Sequence, residues 1–207
     1  MKSIIAHYDS LIDENNDPVH DSKPLRDYMD KWDGQDFIDN MELNKKKSIL
    51  EIGVGTGRLA IRTAPLCGEF YGIDISSKTI ERAKENLSGE ANATLLCGDF
   101  LTYNFPKTYD VIYSSLTFMH IEDKQKAINK VAALLNDNGK FVLSIDKNQA
   151  PFIDTGTNKI TFYPDNPLDI VKYISNAGLT VAKQYETELA YIFCAEKTAV
   201  KNSKTSV

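Results

Sequence analysis

Long apolar runs are missing from this chain. No stretch approaches the ~18 apolar residues that mark a membrane-spanning helix, and the first residues carry no apolar segment of the kind that directs export. Neither a membrane partner nor secretion is expected. Cysteine is scarce as well, with only Cys67, Cys97 and Cys194. An odd number without a C-x-x-C pair or metal-ligand spacing argues against a disulfide framework and against a metal centre. Reduced thiols in a cytoplasmic protein are the expectation. Basic residues are also short, since 24 Lys and Arg face 29 Asp and Glu for a net charge of −5. A sequence-independent grip on nucleic acid needs a basic surface, so no nucleic-acid partner is expected. Internal repeats are absent. What remains is a 207-residue chain, 42% hydrophobic and 26% charged, the composition of one globular domain with a single large core.

The stretch that organises the chain is 48–60, Ser-Ile-Leu-Glu-Ile-Gly-Val-Gly-Thr-Gly-Arg-Leu-Ala. Residues 48–52 form a short apolar run broken by one acid, Glu51, as in a buried parallel strand. Gly53, Gly55 and Gly57 follow at alternate positions, and then Leu59, Ala60, Thr63 and Ala64 take helical spacing. A strand, a glycine turn and a helix make the first half of a nucleotide-binding βαβ unit. Such glycines let backbone approach a ligand, and the helix start points unpaired N–H groups at it. A second strand over 69–73 ends in Asp74, twenty-one residues beyond Gly53. That matches the ~20 expected for an acid that accepts hydrogen bonds from ribose hydroxyls. A third strand over 94–97 ends in Gly98-Asp99-Phe100. Three strands therefore deliver glycine backbone, Asp74 and Asp99 to one sheet edge, where ligands bind in such folds.

Glu51-x-Gly53-x-Gly55-x-Gly57, Asp74 and Asp99-Phe100, in that order and at that spacing, resemble the class I S-adenosylmethionine-dependent methyltransferases. The likeness runs over about 47–197. It implies an α/β fold: a Rossmann-like, doubly wound, seven-stranded, mostly parallel sheet with an antiparallel last strand and helices on both faces. It also implies the cofactor S-adenosylmethionine, with S-adenosylhomocysteine as product. Asp74 would hold the ribose diol and Asp99 the adenine amine. Ile75 and Phe100 would contact the adenine faces, and Ser114 would lie beside the methionine part. Glu51 would hold the glycine loop through backbone N–H groups or meet the cofactor's ammonium through water. An NAD(P)-binding oxidoreductase is the nearest competitor, but its fingerprint puts the third glycine where this chain has Arg58. A catalytically silent module that only binds S-adenosylmethionine is a further alternative, because methyl transfer leaves no obligatory catalytic side chain to look for.

Residues 1–46 are polar and aromatic, without sustained periodicity before a short helix around 36–41. They read as a cap or helical extension over the cofactor, with Tyr8 and Trp32 as wall residues; 47–198 reads as the methyltransferase domain and 199–207 as a tail. Further helices are expected from Ser76 to 87, over 122–135 with 136–139 as its terminating turn, and from Pro167 to Gly178. Further strands are expected over 110–114, 140–146, 179–185 and 190–196, with 149–164 irregular apart from a short strand near 160–163.

Methyl transfer is an in-line displacement on an already activated carbon, so alignment and exclusion of water dominate. A general base is needed only if the acceptor must lose a proton. His120, in the loop after the fourth strand, is the candidate for that role. That loop, Ser114-Ser115-Leu116-Thr117, lacks the Asn/Asp-Pro-Pro-aromatic sequence of amino-methylating nucleic-acid enzymes. There is no Pro-Cys dipeptide, as cytosine C5 enzymes require, and no Asp-Asn pair for Mg²⁺ after the fifth strand. The expected acceptor is a small molecule, in a pocket walled by Phe118, His120, Phe152, Phe162 and Tyr191.

Overall fold

The computed structural model describes residues 4–154 and 159–199. The short apolar run that carries Glu51 becomes β1 (Ser48–Ile52), buried at every position. It pairs in parallel with β2 (Glu69–Asp74) on one side and β4 (Tyr109–Ser115) on the other. β3 (Ala93–Cys97) extends one edge beyond β2, and β5 (Leu135–Asp146) pairs in parallel with β4. β8 (Leu179–Glu186) and β9 (Ala190–Lys197) form a closing hairpin, and β9 runs antiparallel to both β5 and β8. The order is β3-β2-β1-β4-β5-β9-β8, a seven-stranded sheet in which the last strand alone is antiparallel.

Alternate residues of the strands feed two buried clusters. Leu50, Ile52, Ile112, Phe141 and Phe193 meet α6 (Lys124–Leu134) and α7 (Pro167–Asn176). Ile49, Val111, Tyr113 and Val142 meet α3 (Gly34–Asp39), α4 (Ala60–Thr63) and α5 (Ser77–Asn86). Helices thus cover both faces, as parallel strands apolar on both sides require. Ser76 caps α5 by accepting from the Thr79 N–H at 3.1 Å, and Asn166 caps α7 through Leu168 and Asp169.

Several local expectations are corrected. The N-terminal segment, read as a cap or helical extension, carries two helices ahead of the one expected around 36–41, α1 (Ile4–Asp13) and α2 (Lys23–Met29). The helix after Gly57 is a single turn, α4, followed by a 3-10 turn at Ala64–Leu66 that contains Pro65. Residues 136–139 lie within the extended span of β5, but the pairing jumps from Leu135 to Lys140 and leaves them bulging out. The irregular stretch contains a hairpin of β6 (Phe152–Asp154) and β7 (Lys159–Thr161). Most of the expected tail, residues 200–207, lies outside the described residues. No helix among the described residues is long and apolar enough to cross a membrane.

Two buried polar groups fix the N-terminal segment and the first strand. Asp33, with a fully buried side chain, forms a two-pronged pair with Arg58 and accepts from Ser115 Oγ at 2.8 Å. Glu51 points to the α3–α4 face. There it accepts from the Tyr113 hydroxyl at 2.8 Å, which in turn meets Thr63 Oγ1 at 2.7 Å. Its expected role at the glycine loop or the cofactor is therefore corrected: the carboxyl belongs to a polar knot under the sheet. Burial pushes its pKa from 4.5 up to about 8, although the Tyr113 hydrogen bond and Arg58 pull the other way.

Each group gives a stability test. Asp33→Ala leaves Arg58 mostly buried without its partner and should cost about 3–5 kcal/mol in urea unfolding. Glu51 holds a proton in the folded state that the unfolded chain releases between pH 4.5 and about 8. Its contribution to stability is therefore full below 4.5 and falls as pH rises through 8, by up to ~1.4 kcal/mol per pH unit. Glu51→Gln should flatten that decline, read as urea midpoints across the same pH range.

Candidate functional site

The strand order reverses between β1 and β4, and the crevice outside the carboxyl ends of the strands at such a point is where open α/β sheets bind ligands. A cavity of ≈ 440 Å³ lies there. Its floor is the loop after β1. Gly53 has φ +76°, and a Cβ on it would lie 2.0 Å from Thr117 Oγ1. Only glycine fits that position on both counts. The Gly53 and Val54 N–H groups both donate to the Ile73 carbonyl, at 2.8 and 3.0 Å. Gly55, at φ +56°, has open space where a side chain would stand and lines the cavity.

Asp74 closes β2 at the cavity wall. Its Oδ2 accepts from the Gly55 N–H at 3.1 Å and its Oδ1 from the Ser76 N–H at 3.0 Å. A carboxylate has about four lone-pair sites, so these two bonds leave capacity for a ligand. Burial raises the Asp74 pKa above its ordinary value, against the pull of its backbone hydrogen bonds. Ile75, Asp99, Phe100 and Leu101 continue the wall from β2 to β3; Asp99 also accepts from the Leu101 N–H at 2.8 Å. Ser115, Leu116 and Thr117 line it from the end of β4.

The cover is α1. Ile4, Tyr8, Leu11 and Ile12 recur at helical spacing on one face and line the cavity. On its other contacts α1 is held by polar pairs to α5, with Ser76 Oγ donating to Asp9 at 2.7 Å and Lys78 to Asp13 at 2.6 Å. The Tyr8 hydroxyl reaches His120 Nε2 at 2.7 Å, while His120 Nδ1 is buried and has no partner among the described residues. Burial, with smaller contributions from His7 and Lys124, lowers the His120 pKa from 6.5 to about 4.

Of the residues singled out in the sequence, the cavity therefore gathers Tyr8, Gly53, Gly55, Asp74, Ile75, Asp99, Phe100 and His120. The others stand elsewhere. Gly57, at φ +101°, turns the chain toward Leu87. Ser114 donates to the Ile52 carbonyl at 2.9 Å in the core; its neighbour Ser115 faces the cavity instead. Trp32 packs edge-on against Tyr28 at 5.2 Å and does not wall the cavity. Phe118 is a core residue against Phe141, Phe152 is exposed on β6, and Tyr191 lies under Lys147. Phe162 stands behind the cavity wall, with its ring 5.0 Å from that of His120. Sequence reasoning missed Asp33 and the apolar stripe of α1. The spacing of residues 4, 8, 11 and 12 was the available signal for the stripe. No set of three His, Cys, Asp or Glu among the described residues is placed to hold a metal.

The family model described as a methyltransferase domain matches residues 49–139. An uncharacterised methyltransferase of Anoxybacillus flavithermus is 37% identical over 121 residues, 56% of this chain and 56% of that protein. The chain thus spans about half the length of the curated relatives it matches. Among solved structures, the N-methyltransferase NodS of Bradyrhizobium japonicum, in complex with S-adenosyl-L-homocysteine, superposes with a TM-score of 0.68 at 16% identity, over 93% of this chain and 98% of that one. The [4+2]-cyclase SpnF superposes at 0.67 with 14% identity, over 79% of each chain. At such identities the likeness is one of fold. Residues 49–139 match the model of a methyltransferase domain, and the chain shares the fold of S-adenosylmethionine-dependent methyltransferases of known structure.

Proposed function

We propose that this chain binds S-adenosylmethionine in the cavity and transfers its methyl group to a small-molecule acceptor. The observation that carries the reading is Asp74, set beside the loop of Gly53 and Gly55 with lone pairs left over toward the cavity. When bound, S-adenosylmethionine supplies a methyl group already activated by a sulfonium. The chain's residues do the rest. Asp74 accepts from the ribose hydroxyls, and the exposed Asp99 accepts from the adenine amine. Ile75 and Phe100 give apolar contact to the adenine. Gly55 lets the backbone approach closely, and Ile4, Leu11 and Ile12 of α1 keep water from the reacting atoms. The three cysteines are unpaired, which fits a reducing cytoplasm.

The dinucleotide alternative fares worse, because Arg58 occupies the third-glycine position and is engaged with Asp33. The cyclase neighbour is the reason that turnover and binding need separate tests.

Asp74→Ala should weaken S-adenosylhomocysteine binding at least tenfold by isothermal titration; unchanged affinity would remove the ribose role. The carboxylate is a full acceptor only when ionised. Because its pKa is raised, affinity should fall on acidification from a higher pH than an ordinary aspartate would give. Asp74→Asn, though weaker at neutral pH, should lose that acid limb.

A further inference from the structure

We infer that Lys124 and Asp165 are positioning residues for the proposed cofactor site: their buried ion pair clamps the turn after β4 and holds Leu116 in the strained conformation in which it walls the cavity. This rests on the methyl-transfer reading of the cavity. Among the described residues four that are not glycine have positive φ, Asn15, Glu42, Leu116 and Asn138. Leu116, at +55°, is the one apolar residue of the four and the one that lines the cavity. Asparagine tolerates the left-handed region, whereas a bulky apolar residue there is strained. Such a residue keeps its conformation only where the surroundings over-determine it, and strain of this kind gathers at ligand sites.

Both sides of Leu116 are fixed. Before it, Ser115 pairs with Ser144 of β5 and donates to Asp33 at 2.8 Å. After it, the Thr117 hydroxyl turns back to the Ser115 carbonyl at 3.1 Å, and the Phe118 ring packs on Phe141 in the core. Lys124 closes the clamp. Its ammonium donates to the Phe118 carbonyl at 2.8 Å and the Ile121 carbonyl at 2.9 Å, and lies 3.0 Å from Asp165 Oδ1. Asp165 stands between β7 and α7, in a loop also tied to the turn by the Tyr163 N–H on the Met119 carbonyl at 2.8 Å. The two side chains are only 9 and 1% exposed. Neither the helix nor the core asks for this pair. α6 has its own cap in Asp123, which accepts from the Lys126 N–H at 2.9 Å. A cation in the first turn of a helix opposes the helix dipole. Two apolar side chains of similar size would serve stability as well or better. What they could not supply is the pair of hydrogen bonds to the turn's own carbonyls, which fixes the path of residues 116–121 along the cavity.

The test removes the pair without stranding a charge, as Lys124→Met together with Asp165→Leu. NMR backbone couplings at Leu116 read φ in the free protein. The wild type should show the left-handed value and the double variant a shift toward negative φ, with the urea midpoint unchanged or raised. S-adenosylhomocysteine affinity should fall about tenfold, since binding must then restore the strained conformation. In a Leu116→Gly background the same two substitutions should cost about twofold or less, because glycine takes positive φ unaided. A pair that served the fold alone would cost the same in both backgrounds. The inference is overturned if Leu116 keeps positive φ in the double variant, if affinity there is unchanged, or if the loss is equal in both backgrounds. Should the double variant not fold, Lys124→Gln, which still reaches one carbonyl, is read at Leu116 in the same way and with the same two outcomes. A wild-type protein that takes up no S-adenosylhomocysteine would sink the methyl-transfer reading, while the couplings at Leu116 still decide on the clamp.

Discussion

The end of β2 holds the site together. The carbonyl of Ile73 takes two N–H groups from the loop after β1, and the carboxylate of Asp74 takes one from that loop and one from the start of α5. One dipeptide thus satisfies four backbone donors that a tight glycine turn and a helix start would otherwise leave open. It also fixes the loop's height above the sheet, where Gly53 already touches Thr117 from the far side of β1. The loop cannot move down onto Thr117 or away from Asp74 without losing these bonds. The same carboxylate that anchors the loop turns its remaining lone pairs to the cavity. The loop's anchor and the proposed ribose contact are therefore drawn from one side chain.

This part of the molecule was legible because chain order alone nearly specifies it. Buried parallel strands read as unbroken apolar runs, and β1 and β2 have the expected cores, with Asp74 closing β2. Glycine and aspartate at strand ends keep their meaning whatever the rest of the fold does. The apolar stripe of the cap's first helix was not legible. Ile4, Tyr8, Leu11 and Ile12 cover a cavity rather than a core, and α1 contains no fully buried residue. A helix of this kind carries a weak apolar signal by construction. Trp32, Ser114 and Tyr191 failed for another reason. Their positions along the chain were sound, but which way a side chain points at a strand or helix end depends on packing partners far away in sequence. Ile52 at Ser114 and Lys147 at Tyr191 are such partners.

The N-terminal segment is fastened unequally. At residues 30–34 it is tied by the buried Asp33–Arg58 pair, supported by Ser115 and by an Asp30–Arg62 pair. Asp17, also buried, binds Arg82 and Asn86 of α5. Between and before these anchors, α1 relies on exposed pairs such as Lys78–Asp13, each of a kind worth at most ~1 kcal/mol, and on the Tyr8–His120 bond. Asp9 and Asp13 stand four residues apart and face Ser76 and Lys78, so the contact of α1 with α5 is extended but individually weak.

That asymmetry matters for a closed site. A ligand of nucleoside size bound beneath α1 has to pass it, whereas the loop carrying Asp33 packs on Arg58 and need not move. Locally weak contacts over a pre-formed floor are how a fold admits a ligand without giving up its core.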